Sequence, residues 1–416
     1  MSSVGKNFHY VKFALFTLLK TGISIPVDYA YYASKSCVRC GNCVEACPTY
    51  LATGDLKYSP MGRLAALRQR APSDHLLDLF AHCSMCKRCA YFCPLGLDVA
   101  EATRQVRDRL WRMGKPVPYV AKVVDNFEKW GNNIGLTPRV IQQVLRAAVR
   151  RIEKEKGQSP AVYLHNNGVF INVASGQEEG PKTPALLFPS SSDLFEFDEA
   201  LRGYVYSLWK LGLDVVVSAE LADTANYGYY LSTEAMTKIA AKYIEVIKEV
   251  RPSVVIFGEC GHGWHVFTRL VAPRVDVPVY HIHEILAEAY LRGELRLRRI
   301  EVARPVAYMD PCNYSRGAGL IEEPRLLLRA VVGDYLDWKN PKESLCCLGG
   351  GGLIAPDKLE LAVAYWKRAY GHLLGVIKTA VRPCATCKAQ LKRVFARIGK
   401  EASVVGVAEL VYRALD

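Results

Sequence analysis

The chain has 416 residues, half of them hydrophobic, a formal net charge of +13 and fourteen cysteines. This size and composition are those of an ordinary globular protein with two or three domains. The cysteines are spaced like metal ligands, which excludes the disulfide scaffold of a small secreted protein and predicts a reducing, cytoplasmic setting.

The segment before the first cysteine, residues 1–35, contains one short apolar run. The run at 13–19 lies between Lys12 and Lys20 and falls short of the roughly 20 apolar residues that span a bilayer. It also lacks a small-residue cleavage site, so we expect neither a transmembrane span nor a signal peptide. Two interpretations stay open: a helix that docks on a partner or membrane surface, and a helix packed on its own domain.

Residues 36–110 contain the pattern C-x2-C-x2-C-x3-C-P twice. In this pattern three thiolates ligate one iron–sulfur cubane, and the fourth, turned away by its proline, ligates the other cluster of the pair. The sequence therefore predicts one [4Fe–4S] cluster on Cys37, Cys40, Cys43 and Cys93, and a second on Cys83, Cys86, Cys89 and Cys47.

Zinc is the alternative metal, but it closes at four ligands and would leave half of these eight thiolates unused. Between the two motifs, apolar residues such as Leu64 and Leu67 recur at helical spacing. The pattern favours a small α-helical ferredoxin domain that conducts electrons between an inlet and an outlet. Such a domain has no substrate of its own, so the site at which electron transfer ends must lie in the rest of the chain.

Residues 111–183 are predicted to form a helical and loop linker. The helical pattern runs from residue 101 to about 151, and residues 157–180 are rich in Gly, Asn, Ser and Glu, which is typical of loops or a hairpin. A run of arginines at the start of this pattern could bind an acidic carrier, although a solvated helix face is the commoner reason for such a run. These arginines are Arg104, Arg107, Arg109 and Arg112.

After residue 184 short apolar runs alternate with helical stretches, which predicts an α/β fold with parallel strands. We expect strands at 185–188, 215–217, 254–257 and 306–309, and helices at 235–250 and 359–369. Functional residues of such sheets lie in the loops at the carboxyl ends of the strands.

Five more cysteines lie in residues 304–416: Cys312, Cys346, Cys347, Cys384 and Cys387. They are one more than a cubane needs. Neighbours on a strand point to opposite faces, so Cys346 and Cys347 must lie on a loop if both reach one metal site. The glycines at 349–352 permit such a loop and leave N–H groups free to bond cluster sulfides. A redox disulfide between Cys346 and Cys347, or a zinc site that includes Cys384 and Cys387, is the alternative, but neither uses all five residues.

The motifs around these cysteines, Asp310-Pro-Cys, Cys346-Cys-Leu-Gly and Pro383-Cys-Ala-Thr-Cys, are similar to the cysteine-rich CCG domain of the heterodisulfide reductase superfamily. Leu348 departs from the pattern, because a glycine commonly follows the cysteine pair. The resemblance implies that the five cysteines hold a third, non-cubane [4Fe–4S] cluster at which a disulfide is cleaved. Cleaving a disulfide takes two electrons whereas cubanes deliver one at a time, so an iron with an exchangeable position could hold the half-reduced sulfur.

Residues 184–269 align weakly with residues 305–393, which predicts a duplicated α/β unit with a degenerate first copy at 184–303 and an intact second copy at 304–416. In the alignment only Cys260 of the first copy matches a cluster cysteine, Cys384. Facing loops would bring Cys260 and His262 close to the cluster, with Cys260 as a redox thiol or ligand and His262 as a proton donor. A structural histidine is the commoner alternative, and His265, His281 and His283 are weaker candidates.

The expected fold class is therefore α+β multidomain: an α-helical ferredoxin domain with two [4Fe–4S] clusters, followed by a duplicated α/β CCG domain. This combination resembles the DsrK-type and HdrD-like subunits of the superfamily. The resemblance implies a catalytic subunit, peripheral at the cytoplasmic face of a membrane. Its partners would be a membrane cytochrome or quinone-reactive subunit and a disulfide or sulfur-carrier protein as substrate.

The alternative function is that of an iron–sulfur electron-transfer subunit of a quinone-linked glycolate, lactate or glycerol-3-phosphate dehydrogenase. Such subunits usually keep two CCG units, whereas this chain keeps one. The sequence has no GxGxxG fingerprint after a strand and no nucleic-acid motif, so we expect no flavin, nicotinamide or nucleic-acid site.

Overall fold

The structure is a computed structural model that describes residues 28–165, 168–172, 183–223 and 226–416, with the side chains of 164, 165 and 168–172 excepted. The apolar run at 13–19 lies outside the described residues. Within the described ranges, no helix has the length and apolarity needed to cross a membrane.

Six α-helices lie in the described residues 28–112, as the apolar spacing predicts. They are α1 (Tyr29–Ser36), α2 (Pro48–Thr53), α3 (Pro60–Arg68), α4 (Ser73–Ala81), α5 (Arg88–Phe92) and α6 (Val99–Arg112). Prolines at the first turn begin α2 and α3, where their missing N–H costs no hydrogen bond. Leu64, Leu79 and Val106 are buried together between these helices.

Two amphipathic helices, α7 (Pro118–Trp130) and α8 (Pro138–Lys156), follow. The sequence predicts a linker here, but each helix buries an apolar face in a core of the α/β region. Val124 and Phe127 of α7 pack with Phe188 and Tyr243, and the rings of Phe127 and Tyr243 stack at 6.2 Å. The apolar face of an amphipathic helix is buried against another element, and here both helices pack against the residues of the first sheet.

The first sheet has six strands in the order β1-β2-β4-β3-β5-β6. The strands are β1 (Ala161–His165), β2 (Gly168–Asn172), β3 (Ala185–Phe188), β4 (Val215–Ser218), β5 (Val254–Phe257) and β6 (Val279–His281). The expected hairpin is present as β1 and β2, and it joins the sheet through antiparallel pairing of β2 with β4. The pairs β4-β3, β3-β5 and β5-β6 are parallel.

Six helices surround this sheet. They are α9 (Ser191–Phe195), α10 (Asp198–Lys210), α11 (Asn226–Leu231), α12 (Thr233–Val250), α13 (Gly261–Leu270) and α14 (Ile282–Leu291).

The second sheet has three parallel strands, β7 (Val306–Tyr308), β8 (Thr379–Val381) and β9 (Ser403–Val405). A single parallel bridge from Ala307 to Leu336 adds one extended position beside β7. Four helices pack here: α15 (Glu322–Val331), α16 (Leu359–Leu374), α17 (Ala385–Arg397) and α18 (Val407–Ala414). Strands β6, β8 and β9 are not predicted from the sequence, because none of them lies in a continuous apolar run of three or more residues such as the one at 306–309.

The two α/β regions share one apolar core, which contains Leu187 of β3, Tyr308 of β7 and Val381 of β8. Helices α10 and α18 cross at Gly203, where a Cβ atom would lie 2.4 Å from the carbonyl oxygen of Ala408. The loops that follow β5 and β8 also meet, because the N–H of Ala385 donates to the carbonyl oxygen of Glu259 at 2.7 Å.

Candidate metal centres

The first cavity of the helical domain lies between the loop that precedes α2 and the end of α5. Its wall includes the thiols of Cys37, Cys40, Cys43 and Cys93, together with Cys89 and apolar side chains such as Leu95. Cys40 is exposed, so this cavity lies near the protein surface. The cysteine set is the one that the spacing predicts for the first cluster.

A second cavity is lined by Cys47, Cys83, Cys86 and Cys89, the set predicted for the second cluster. The loop around Met85 and Lys87 turns back on itself, because both residues have a positive φ (54° and 59°). Arg63 is fully buried in the cavity wall, where its Nη1 donates to Cys47 Sγ at 3.7 Å and its Nε to the carbonyl oxygen of Leu79 at 2.8 Å.

The donor sets of both cavities fit iron–sulfur cubanes. Burial, with the nearby Cys37 and Cys47, raises the pKa of Cys43 to about 11, so the ligating thiolate forms only if a cation offsets its charge. Cluster irons supply that charge when bound. No group of three or more His, Cys, Asp and Glu side chains in the described part of the chain is placed to hold a single metal ion.

The five cysteines of the last domain converge on one buried site. Their contacts form two groups, one of Cys312 and Cys346 with Cys86, and one of Cys347, Cys384 and Cys387. Hydrogen bonds between the thiols of Cys346 and Cys347 join the groups. The spacing predicts this convergence, and the sulfurs are close enough to share a cluster.

Thiol hydrogen bonds polarise this site. Those from Cys346 and Cys387 lower the pKa of Cys347 well below its ordinary value, and those from Cys260 and Cys387 do the same for Cys384. The pKa of Cys346, which bonds Cys312 and Cys347, lies well above its ordinary value. Five sulfur donors in one buried site are a ligand set suited to iron.

Cys346 and Cys347 lie on an irregular loop, as two ligands of one site must. The N–H of Leu348 donates to Cys346 Sγ at 3.2 Å, and that of Gly349 donates to Cys347 Sγ at 3.3 Å. Leu348 holds a left-handed φ of 60°, the conformation for which glycine is usual, and its side chain is fully buried. Compared with the glycine of the family pattern, Leu348 adds backbone strain at this position but buries an apolar side chain.

The glycines after Leu348 lie directly against the loop of the second cavity. A Cβ atom at Gly351 would lie 2.2 Å from the carbonyl oxygen of Cys83, and one at Gly350 would lie 2.7 Å from that of Ser84. The glycine run thus allows the two cysteine loops to pack backbone to backbone, a role that its sequence pattern does not reveal.

Cys346 joins the two loops through side chains as well. Its thiol shares a hydrogen bond with the thiol of Cys86, and its Sγ lies 3.5 Å from Ser84 Oγ. A ligand of the second cavity and a cysteine of the third site are therefore in direct contact.

Arg107 also holds the glycine loop and the loop of the second cavity together. It is buried, contrary to the solvated helix face expected for this arginine run, and burial lowers its pKa to about 10. Its guanidinium donates to the carbonyl oxygens of Cys83 at 3.1 Å, Gly351 at 2.8 Å and Tyr230 at 3.3 Å. One side chain thus links the helical domain to both α/β regions.

Cys260 and His262 reach the same site from the first α/β region. Cys260 begins α13 as Cys384 begins α17, the two thiols share a hydrogen bond, and the N–H of Gly261 donates to Cys384 Sγ at 3.4 Å. His262 is buried beside Gly350, and burial lowers its pKa although Cys384 and Cys347 act in the opposite direction. Among the described residues its Nε2 has no hydrogen-bond partner, so this atom is free to bond a group in the site.

The three weaker histidine candidates have other contacts. His281 Nε2 lies 2.7 Å from the hydroxyl of Tyr314, and His283 Nε2 lies 2.9 Å from Glu259 Oε1. His265 packs against the ring of Tyr229. Two fully buried residues of this region are not predicted from the sequence: Glu259, the residue before Cys260, and Lys388, the residue after Cys387.

The comparisons with known proteins place these sites in two families. Residues 33–97 match the 4Fe-4S dicluster domain, and residues 306–392 match the cysteine-rich domain. An Hdr-like menaquinol oxidoreductase iron-sulfur subunit 2 from Archaeoglobus fulgidus is 27% identical over 91% of this chain and 79% of its own length. A subunit of the dihydromethanophenazine:CoB–CoM heterodisulfide reductase from Methanosarcina acetivorans is 24% identical over 91% of this chain and 93% of its own. A probable glycolate oxidase iron-sulfur subunit from Bacillus subtilis is 32% identical over 79% of this chain and 81% of its own.

The chain belongs to the heterodisulfide reductase superfamily of iron–sulfur proteins. The dicluster match spans all eight N-terminal cysteines, and the cysteine-rich match spans all five of the third site. In this superfamily protein the first two cavities belong to the 4Fe-4S dicluster domain, and the site of five cysteines lies in the cysteine-rich domain.

Proposed function

We propose that the chain is the catalytic iron–sulfur subunit of a membrane-associated, heterodisulfide-reductase-like complex. Two [4Fe–4S] clusters, held by the two predicted cysteine sets, pass electrons to a third, non-cubane cluster on Cys312, Cys346, Cys347, Cys384 and Cys387. There a disulfide or trisulfide of sulfur metabolism is cleaved or formed. The observation that carries the proposal is the contact between Cys86 and Cys346, which ends the electron path at the third site.

We also propose that the chain is divided into domains at the boundaries predicted from the sequence, with a degenerate first α/β copy at residues 184–303. The equivalent start of α13 at Cys260 and of α17 at Cys384 supports the duplication. The order of strands across the two sheets also supports it. In the first region the order is β4-β3-β5-β6, and in the second the extended position at Leu336 takes the place of β4 beside β7, β8 and β9.

At the third site, the residues of this chain would orient and protonate the substrate. When bound, the cluster supplies single electrons and an iron position that can hold a sulfur between their arrivals. Cys260, as a ligand or redox thiol, shares a hydrogen bond with the thiol of Cys384. His262 Nε2 lies in the same buried space and is suited to bond or protonate a product thiolate.

The partners of the complex follow from the names of the relatives. These name a menaquinol oxidoreductase and a dihydromethanophenazine-dependent reductase. By this likeness the partner would be a membrane cytochrome or quinone-reactive subunit at the cytoplasmic face. The exposed Cys40 makes the first cavity the natural inlet for its electrons. The substrate partner would be a small disulfide or a sulfur-carrier protein.

The test is a reoxidation experiment followed by electron paramagnetic resonance. The anaerobic holoprotein is reduced, freed of reductant and mixed with a small disulfide or a trisulfide, while the cubane signals and released thiols are measured. We expect the wild type and Tyr370→Phe, a control that changes a buried hydroxyl near the site, to reoxidise and release thiols. Cys346→Ala should leave the cubanes reduced. Equal reoxidation of Cys346→Ala, or no response of the wild type to any disulfide, would refute the proposal.

A second candidate function is electron transfer in a quinone-linked glycolate, lactate or glycerol-3-phosphate dehydrogenase. The 32% identity to the Bacillus subtilis subunit favours it. In that case a flavoprotein partner and its hydroxy acid would reduce the clusters, and disulfides would not reoxidise them. The same reoxidation experiment therefore separates the two functions.

A further inference from the structure

A group of four charged side chains is buried behind the third site. Lys388 Nζ lies 3.2 Å from Asp193 Oδ1, 3.6 Å from Glu259 Oε2 and 3.5 Å from Glu409 Oε1. All four side chains are buried, and they come from α9, the loop before α13, α17 and α18. The group is placed where the two α/β regions meet.

The group has more carboxylates than cations. Three carboxyl groups face one ammonium. Tyr204 and Ser190 each donate a hydroxyl hydrogen bond to Asp193 Oδ2 at 2.9 Å, the N–H of Ala408 donates to Glu259 Oε1 at 2.8 Å, and the N–H of Gly406 donates to Glu409. His283 also contacts Glu259, and Arg413 lies near Glu409. Excess negative charge is costly in a dry interior, although Lys388 and His283 lower the pKa of Glu259 against the effect of its burial. Burial raises the pKa of Glu409 to about 7 although Lys388 opposes it, and burial also raises the pKa of Asp193.

Glu409 also lines a cleft on the surface of the protein. Charged side chains of α10, α17 and α18 form much of the cleft wall. Glu409 belongs to this wall, and its side chain is buried. The charged wall residues include Glu196, Glu199, Lys392, Lys400 and Arg413. The cleft therefore connects solvent to the buried group at Glu409.

The other end of the group adjoins the sulfur site. Glu259 directly precedes Cys260, Lys388 directly follows Cys387, and the carbonyl oxygen of Glu259 accepts the N–H of Ala385 at 2.7 Å. Gly406 makes room for this arrangement, because a Cβ atom there would lie 2.0 Å from Glu259 Oε2. The buried charged group and the sulfur site are therefore joined through two chain segments, at Glu259-Cys260 and at Cys387-Lys388.

We propose that this cleft is the proton entrance of the sulfur site and that Glu409 is the group that loads protons from solvent. The inference rests on the proposed function, in which R–S–S–R′, two electrons and two protons give R–SH and R′–SH. The electrons come from the two [4Fe–4S] clusters and the protons from water in the cleft. Each electron that reaches the site favours uptake of a proton by Glu409 from the cleft, at the solvent end of the buried group.

Redox-difference infrared spectroscopy on the holoprotein tests the assignment. Reduction of the wild type is expected to increase a carboxylic-acid carbonyl band near neutral pH. Glu409→Gln should lose that band, Glu409→Asp should retain a shifted one, and Glu288→Gln, on the exposed face of α14, should leave it unchanged. An unaltered band in Glu409→Gln would overturn the proposal, as would a wild type with no band. The Asp variant keeps the test decisive if the Gln variant does not fold.

Turnover separates this inference from the function on which it rests. At pH 8 disulfide reduction by Glu409→Gln is expected to be at least about tenfold slower than that of the wild type, with a smaller deficit at pH 6, because the missing group is a proton donor. Equal pH profiles would overturn the proton entrance alone. A wild type that reduces no disulfide would overturn the proposed function and this inference together.

Discussion

The thiol of Cys346 is hydrogen-bonded to the thiol of Cys86, although the two residues belong to different domains. Cys86 lines the second cavity, and Cys346 is one of the five converging cysteines of the third site. The contact depends on the close packing of the glycine loop against the loop from Cys83 to Cys86. Changes to that packing should therefore alter both stability and electron transfer.

Gly351→Ala should weaken the junction between the domains. The new Cβ atom would lie 2.2 Å from the carbonyl oxygen of Cys83, and the residue holds a φ of 64° that alanine rarely adopts. We expect a lower melting temperature and slower reoxidation of the cubanes by a disulfide. Gly371→Ala in α16 is the matched control, since a Cβ atom there meets nothing within 4 Å. It should stabilise the helix by roughly 0.5–1 kcal/mol, so a similar gain in Gly351→Ala would refute the packing argument.

Leu348 offers a test of backbone strain against apolar burial. Leu348→Ala removes a fully buried side chain and keeps the left-handed φ of 60°, so we expect it to lose roughly 2–5 kcal/mol of unfolding free energy. Leu348→Gly loses the same burial but relieves roughly 1–2 kcal/mol of backbone strain. The glycine variant should therefore be the more stable of the two in denaturant unfolding, the reverse of the usual order. An alanine variant as stable as the wild type would show that the side chain contributes no packing.

Buried histidines should make the protein sensitive to acid. Burial, with Arg269 and Lys87 nearby, lowers the pKa of His265 well below its usual value. Below pH about 6.5 the unfolded chain therefore binds a proton that the folded chain does not, and unfolding free energy falls as pH falls. His265→Gln should reduce this slope between pH 7 and 5, measured by melting temperature, whereas His75→Gln on the exposed surface of α4 should not. A slope that is equal in both variants would contradict the assignment.

Much of the site can be predicted from the sequence because cysteine spacing is a local signal. The intervals of two and three residues predict which thiols share a cavity, and the doublet at 346 and 347 predicts a loop. The strands at 185–188 and 254–257 are also predictable, since each is a continuous apolar run. These features depend on neighbours in the chain and need no knowledge of the tertiary structure.

The remaining features depend on contacts between distant segments. Arg107 lies in a run that is typical of a solvated helix face. Its burial is explained by carbonyl acceptors from distant segments, which are Phe80, Ala81, Cys83, Gly351 and Tyr230. Lys388 would likewise be placed on a helix surface, because its carboxylate partners come from three other elements. Helices α7 and α8 are predicted as a linker because their apolar stripes do not reveal which sheet covers them.

The most direct test of the central claim is an anaerobic iron and sulfide analysis, with electron paramagnetic resonance, of the wild type and Cys346→Ala. Three [4Fe–4S] clusters predict about twelve irons per chain in the wild type and about eight in the variant, with the cubane signals unchanged. In the wild type a disulfide should perturb a third signal that the variant lacks. About eight irons in both proteins would contradict the account, because Cys312, Cys346, Cys347, Cys384 and Cys387 would then hold no cluster.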